Sequence, residues 1–357
     1  MDIQKNYILF PLGLIISAIL GISIIPFILR NTIFGVAIFW DVISFMITFI
    51  ISTFMFLATF NFLKKTDNKF FIYKLKWLQE ILIIAGAWGT ILGFSLAIQG
   101  ILYDTPTEGV DPAAKLGGGI AVSLISLIYS VTFALGFYLI QKYRESDSEN
   151  DNITLTSSIE GFSLSSLIYT VLGFGCIDYF TYLASAAYDI SFSSMLLRKN
   201  TFIFLAIIFI IAKFIYKGDS IFKFLKSIFW YYKEEEANIL ININFIRNLK
   251  KLCSILCSII LLFIPVIVLA MMSLPPDVEN PYKIFIGFEN GLLYFNWIIS
   301  IIFLLSIYEG REVSKLYITT GKINSGDRYF TLKFVLAPLF LMSLYFFFGM
   351  LLTFSVI

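Results

Sequence analysis

Nine long apolar stretches follow one another along this chain, and they restrict its possible folds more than any other feature. A helix needs about 20 apolar residues to cross a bilayer. The stretches cover about 7–29, 37–62, 78–102, 115–140, 162–187, 200–217, 252–273, 284–308 and 330–356. Charged residues make up only 14% of the chain, whereas a soluble domain typically has about 25%. The sequence therefore predicts an all-α, polytopic membrane protein with about nine transmembrane helices.

The charges between these stretches predict how the chain is oriented. Lysines are concentrated in segments 63–76 and 217–251, whereas the loop that holds Asp104, Glu108 and Asp111 is acidic. Lys and Arg collect on the cytoplasmic side of membrane helices. Both basic segments should therefore be cytoplasmic and the acidic loop external, which places the amino terminus in the cytoplasm.

Composition divides the chain into two membrane regions. Residues 1–143 form the first region, and the polar residues 144–160 are predicted to be a flexible cytoplasmic linker. Residues 161–357 form the second region, with about five helices and an amphipathic cytoplasmic segment at 217–251.

Small residues mark the third and fourth apolar stretches. Gly86, Gly89 and Gly93 lie three, four and seven residues apart, so they share one face of a helix. Such a face lets a second backbone approach closely inside a membrane. We therefore predict that it packs against another helix, and we expect Gly117 and Gly119 in the next stretch to do the same.

These glycines belong to a longer pattern. Gly-x-x-Gly-Thr-x-x-Gly begins at Gly86, and an Asp-Pro loop and the motif Gly-x-Gly-Ile-Ala-Val-x-Leu follow it. Together they resemble the last two helices of the MotA/TolQ/ExbB proton-channel family. The likeness covers about residues 78–143 and extends more loosely over residues 1–62.

The resemblance implies that residues 1–143 form a four-helix channel unit in the bacterial cytoplasmic (inner) membrane. It also implies a homo-pentameric ring around a single-span subunit like MotB, ExbD or TolR, whose membrane aspartate carries the ion. The chain would then be a proton or other ion channel subunit of a stator-like complex driven by the ion-motive force. It would not be an enzyme, and it would contact lipid but need no cofactor, metal or nucleic acid.

Hydroxyl and carboxyl groups at membrane depth are the candidate ion-handling residues. The resemblance implies that Thr90 and Ser126 line the ion path; the alternative is a hydroxyl bonded back to its own helix. Asp178 lies deep in a predicted span, where an ionised carboxylate is strongly disfavoured, so it is a candidate proton carrier. A position nearer the outer surface, or a neutral acid bonded to another helix, would also explain Asp178. For Glu80, near the inner end of its span, we expect solvation at the interface.

Composition excludes other chemistry. The chain has no histidine. Cys176, Cys253 and Cys257 all lie within apolar stretches and form neither a disulfide framework nor a Cys-x-x-Cys metal pair. No phosphate-binding loop is visible, because Gly-Lys-Ser/Thr does not follow the glycines at the start of the fourth stretch.

Two other functions remain open. The number of spans and an echo between Arg144-Glu145 and Arg311-Glu312, each at the end of an apolar stretch, favour a secondary transporter with a divergent repeat. Chance similarity between apolar segments explains the echo equally well. Leu127 stands where the family has a second threonine, which favours a membrane scaffold that kept the fold and does not conduct.

Overall fold

Six helices and one two-residue strand pair form the described part of the computed structural model. Residues 41–60, 68–103, 112–146, 161–162, 164–186, 230–231, 236–272 and 282–321 are described, with a few isolated positions. Side chains are described for 41–60, 68–94, 123–145, 164–182, 236–262 and 294–321. The elements are α1 (Val42–Phe60), α2 (Asn68–Tyr103), α3 (Pro112–Ser146), β1 (Gly161–Phe162), α4 (Leu164–Ala186), β2 (Trp230–Tyr231), α5 (Glu236–Met272) and α6 (Tyr282–Thr320). The predicted spans 7–29, 200–217 and 330–356 and most of the predicted linker lie outside these residues.

Four of the described helical segments are long and apolar enough to cross a membrane. They are Val42–Phe60, Asn68–Phe94, Ser123–Glu145 and Leu164–Tyr182. Each overlaps one of the apolar stretches predicted from the sequence, which confirms an all-helical fold with four candidate membrane spans in the described part of the chain. The total of nine spans and the cytoplasmic amino terminus stay predictions.

The longest helices form two antiparallel hairpins. In the first hairpin, Gly93 of α2 faces Ser123 of α3, and Asn68 Nδ2 donates to the backbone oxygen of Arg144 at 3.1 Å. α5 and α6 form the second hairpin, also antiparallel. Their lengths, 37 and 39 residues, are close to the 36 and 35 residues of α2 and α3.

Helix α1 packs between the two hairpins and α4. It contacts α2, α3, α4 and α6. Gly310 of α6 makes one of these contacts, because a Cβ added there would overlap Thr59 of α1. Met55 lies against Gly173 on the α4 side, 3.0 Å from where a Cβ would stand. Glycine therefore allows close approach on two sides of α1.

Aromatic side chains fill the end of the bundle where α2 and α5 begin and α3 and α6 end. We call it the basic end because the basic segments 63–76 and 217–251 adjoin it. The rings of Phe60 and Trp77 lie 5.2 Å apart edge to face, and those of Phe70 and Tyr317 stack at 4.9 Å. Trp77 Nε1 also donates to the backbone oxygen of Ser306 at 3.0 Å. These contacts join α1, α2 and α6, and aromatic packing of this kind contributes beyond the burial of area.

The helices extend beyond the predicted spans at this basic end. α2 begins at Asn68, α5 begins at Glu236, and α6 ends at Thr320. Parts of the segments 63–76 and 217–251, which the sequence predicts to be cytoplasmic connections, are therefore helical. The reason is that their aromatic residues and charges find partners on neighbouring helices. Within the predicted amphipathic segment, β2 pairs antiparallel with β1, so that Trp230 is opposite Phe162.

Candidate functional site

The small-residue face of α2 packs against α3. A Cβ added at Gly89 would lie 2.8 Å from Ser126 Oγ, and one added at Gly86 or Gly93 would overlap a serine side chain. The facing serines are Ser123, Ser126 and Ser130. Because the glycines add no side chain on the α2 side and the facing serines are small, α2 and α3 approach closely at this level. Gly117 and Gly119 lie in α3 ahead of its described side chains, so their packing is outside the described part of the chain.

The structure places Ser126 in this interface, and Thr90 follows Gly89 on α2. Both side chains are buried, and Thr90 is fully enclosed. The Thr90 hydroxyl donates to the backbone oxygen of Gly86 at 2.9 Å, one helical turn earlier. The backbone oxygen of Ser126 accepts from Thr48 Oγ1 of α1 at 3.3 Å. The lone pairs of a back-bonded hydroxyl can still accept a hydrogen bond, so the role of these two residues in an ion path stays a prediction.

Helix α1 adds a row of hydroxyls to the same interface. Ser44, Thr48 and Ser52 follow one another at four-residue spacing and are all buried. Thr48 Oγ1 also donates to the backbone oxygen of Ser44 at 3.0 Å, whereas Ser52 Oγ has no hydrogen-bond partner among the described residues. Helices α1, α2 and α3 thus all carry buried hydroxyl groups, and Thr48 connects α1 to α3 at Ser126.

Asp178 lies elsewhere. It is on α4, on the side that the bundle leaves exposed, near the exposed Gly175. A Cβ added at Gly175 would meet nothing within 4 Å. The structure therefore does not bring Asp178 together with Thr90 and Ser126, and its role as a proton carrier stays a prediction.

Charged side chains form a buried network between α2, α5 and α6. Lys250 Nζ contacts a carboxylate oxygen of Glu80 and lies 3.2 Å from Glu309 Oε2. Arg247 Nε donates to the other oxygen of Glu309 at 2.8 Å. Glu80, Lys250 and Glu309 are 3%, 4% and 2% exposed. Two carboxylates and the Lys250 ammonium are therefore held together away from solvent, with the partly exposed Arg247 beside them.

A second group of charges continues the network along α6. Glu312 accepts from Asn242 Nδ2 of α5 at 3.3 Å and from Lys315 Nζ at 2.5 Å. Both charged residues are almost fully buried. The two groups share α6 because Glu309 and Glu312 lie three residues apart, on one face of the helix.

Arg311 points to a different side of α6. Its Nη2 atom donates to the backbone oxygen of Ala58 at 3.0 Å and to Ser166 Oγ. Ser166 Oγ in turn donates to the same backbone oxygen. Arg311 thereby connects α6 to α1 and α4.

The sequence interpretation of these charges was wrong in one place and incomplete in others. The sequence predicted that Glu80 is solvated at the interface. The structure instead buries Glu80, because Lys250 supplies a charged partner inside the bundle. The sequence assigns Arg247 and Lys250 only to the basic cytoplasmic segment 217–251. The available signal was their spacing: Arg247 and Lys250 lie at i and i+3 on one helix face, and both contact Glu309 in the structure.

Comparison with known proteins adds no assignment. No family model, no curated protein and no solved structure matches this chain. Among the described residues, no three His, Cys, Asp or Glu side chains are placed to hold a metal ion.

Proposed function

We propose that this chain is an ion-channel subunit, for protons in the simplest case, of a membrane complex driven by the ion-motive force. The observation that carries the proposal is the α2–α3 interface. The two helices that carry the resemblance to the MotA/TolQ/ExbB family pack against each other, with Ser126 facing Gly89 and the buried Thr90 next to Gly89 in the chain. As in that family, the partner would be a single-span subunit with a membrane aspartate, in a pentameric ring in the bacterial inner membrane.

The chemistry of the interface fits ion passage better than lipid contact. A hydroxyl can accept one hydrogen bond and donate another, and burying it costs far less than burying a charge. Thr90 has no exposed surface in the protomer. An ion that uses Thr90 therefore travels inside the helix bundle, where Thr48 donates a hydrogen bond to the backbone oxygen of Ser126.

A secondary transporter is the second candidate, and one observation favours it. The two hairpins have similar lengths, and each carries a polar contact to a glutamate near the end of its last helix. Lys76 Nζ lies 3.2 Å from Glu145 in the first hairpin, and Asn242 Nδ2 lies 3.3 Å from Glu312 in the second. A duplicated unit of this kind is common in transporters.

Thr90→Val tests the channel proposal, because valine keeps the shape of threonine and removes the hydroxyl. The complex is purified from native membranes with its associated subunits and reconstituted into liposomes. Proton uptake driven by a potassium diffusion potential is followed with a pH-sensitive dye. We expect uptake to fall by about tenfold, which corresponds to about 1.4 kcal/mol, the size of one hydrogen bond. Ser126→Ala should have a smaller effect.

Thr181→Val is the matched control. Thr181 is a buried threonine of α4 whose hydroxyl donates to the backbone oxygen of Ile177 at 2.8 Å, the same geometry as at Thr90. Its loss should leave uptake unchanged. A loss of uptake only in Asp178→Asn would favour the transporter, and an unmodified complex that conducts no ions would favour the scaffold.

A further inference from the structure

Lys250 occupies the space between two carboxylates that come from different hairpins. Glu80 belongs to α2 of the first hairpin and Glu309 to α6 of the second, and the ammonium of Lys250 contacts both. All three side chains are more than nine-tenths buried. Buried clusters of ionisable groups occur preferentially at functional sites, although structural ion pairs are also found.

We propose that Glu80 and Glu309 form a binding site for a small monovalent cation, and that the ammonium of Lys250 occupies it in this structure. The ammonium stands where a proton or an alkali-metal ion would bind. It is a compact charge on a flexible four-carbon stem, so it can withdraw without moving the backbone of α5. The site would exchange its tethered cation for a mobile one.

The surroundings explain why the two carboxylates differ. Glu309 keeps a second cation when Lys250 withdraws, because Arg247 donates to its other oxygen at 2.8 Å. Glu80 loses its contact with Lys250 in that state, so the incoming cation would bind beside Glu80. The remaining charged groups with described side chains on the packed elements are Glu236 and Lys251 on α5, Arg311, Glu312 and Lys315 on α6, Lys69, Lys74 and Lys76 on α2, and Lys142, Arg144 and Glu145 on α3.

The site also links the two halves of the described chain. Lys250 is on α5, so its contact with Glu80 joins the second hairpin to the first, and its withdrawal would release that contact. The biological role of this cation site rests on the proposed ion-coupled function. Its test, in contrast, measures cation binding and needs no ion flux.

Lys250→Met tests the site, because methionine keeps much of the apolar stem and removes the ammonium. The full chain is solubilised in detergent, and its thermal unfolding midpoint is followed by tryptophan fluorescence. Sodium, potassium or choline chloride is varied at constant ionic strength, and pH is varied separately in choline. A ligand that binds the folded state raises the midpoint with concentration. We expect a rise of about 5 °C between about 1 mM and about 100 mM cation, or on acidification if the proton is the occupant.

The double variant Glu80→Gln/Lys250→Met is the matched control, since it removes both charges of the pair and should lose the response. Lys76→Met, next to the partly exposed Glu145, should show none. Identical responses in the single and double variants would overturn the site. Lys250→Gln, which keeps two donors for the carboxylates, repeats the test. If neither Lys250 variant folds under any cation or pH, no mobile cation replaces the ammonium and the proposal falls.

The outcomes separate this proposal from the proposed function. A chain that conducts protons but shows no cation response in the Lys250 variants would lack this site and keep its channel function. A chain that shows the response but conducts nothing in its purified complex would keep the site and lose the channel function.

Discussion

Arg311 shows how a single buried cation is stabilised in this protein. Its guanidinium donates to the backbone oxygen of Ala58, one of the last four residues of α1, whose carbonyls have no partner within the helix. The end of a helix also carries a partial negative charge. Burial lowers the pKa of the Arg311 guanidinium to about 10, against the opposing effect of Glu312. The group therefore remains charged at neutral pH.

Arg311→Met should lower the free energy of unfolding by about 2 kcal/mol, because Ala58 and Ser166 stay buried and lose a charged donor. Denaturant unfolding of the solubilised chain measures the change. Lys142→Met is the control, since Lys142 is exposed and shares Glu145 with Lys76. We expect the control to change stability by no more than about 0.5 kcal/mol. Equal losses in both variants would mean that Arg311 contributes no more than a surface charge.

The α2–α3 hairpin depends on glycine where its backbones are closest. Three glycines of α2 face three serines of α3, so a methyl group at this level has no space. Gly175 of α4 is also helical, yet a Cβ there would meet nothing within 4 Å. Comparing a substitution at a packed glycine with one at Gly175 therefore distinguishes the cost of overpacking from the general effect of glycine on a helix.

Gly86→Ala should therefore destabilise the protein by about 1–3 kcal/mol, the usual cost of overpacking. The new Cβ would overlap Ser130 and lie 2.8 Å from the backbone oxygen of Ser126. Gly175→Ala should leave stability unchanged or raise it by up to about 1 kcal/mol, because alanine favours helix. Unfolding of both variants in the same detergent measures the difference. A stable Gly86→Ala variant would show that α2 and α3 can separate here at no cost.

The two hairpins and α1 form one bundle, and four of the helix termini lie at the same end of it. The starts of α2 and α5 and the ends of α3 and α6 meet at the basic end, where Glu80, Lys250 and Glu309 lie. The sequence predicts that this end faces the cytoplasm, because the basic segments 63–76 and 217–251 adjoin it.

Cysteine labelling tests this orientation in the whole molecule. An impermeant maleimide applied to intact cells should modify Thr107→Cys and should not modify Thr66→Cys. The reason is that the acidic loop is expected outside and the basic segment inside. The unmodified chain, with its three native cysteines, gives the background. The reverse pattern would overturn the predicted topology and the resemblance to the channel family together.

Local pattern was sufficient to predict the helices and one of their contacts. Apolar length alone locates the segments that cross a bilayer, because an unsatisfied backbone in lipid leaves few alternatives to helix. The spacing of Gly86, Gly89 and Gly93 likewise indicates a packing face, because small side chains at helical period leave a groove wherever the partner lies. Both features depend on neighbours in the chain, so they are visible in the sequence.

The tertiary structure alone determines which residues that are far apart in the sequence contact each other. Glu80 and Lys250 are 170 residues apart, and nothing near either residue indicates the other. A lysine beside a membrane segment is usually solvated, and only the packing of α5 on α6, with α2 alongside, removes it from water and gives it two carboxylates. The helix ends were wrongly predicted for the same reason. The sequence has charges where a span should stop, but the structure pairs those charges, so the helices continue.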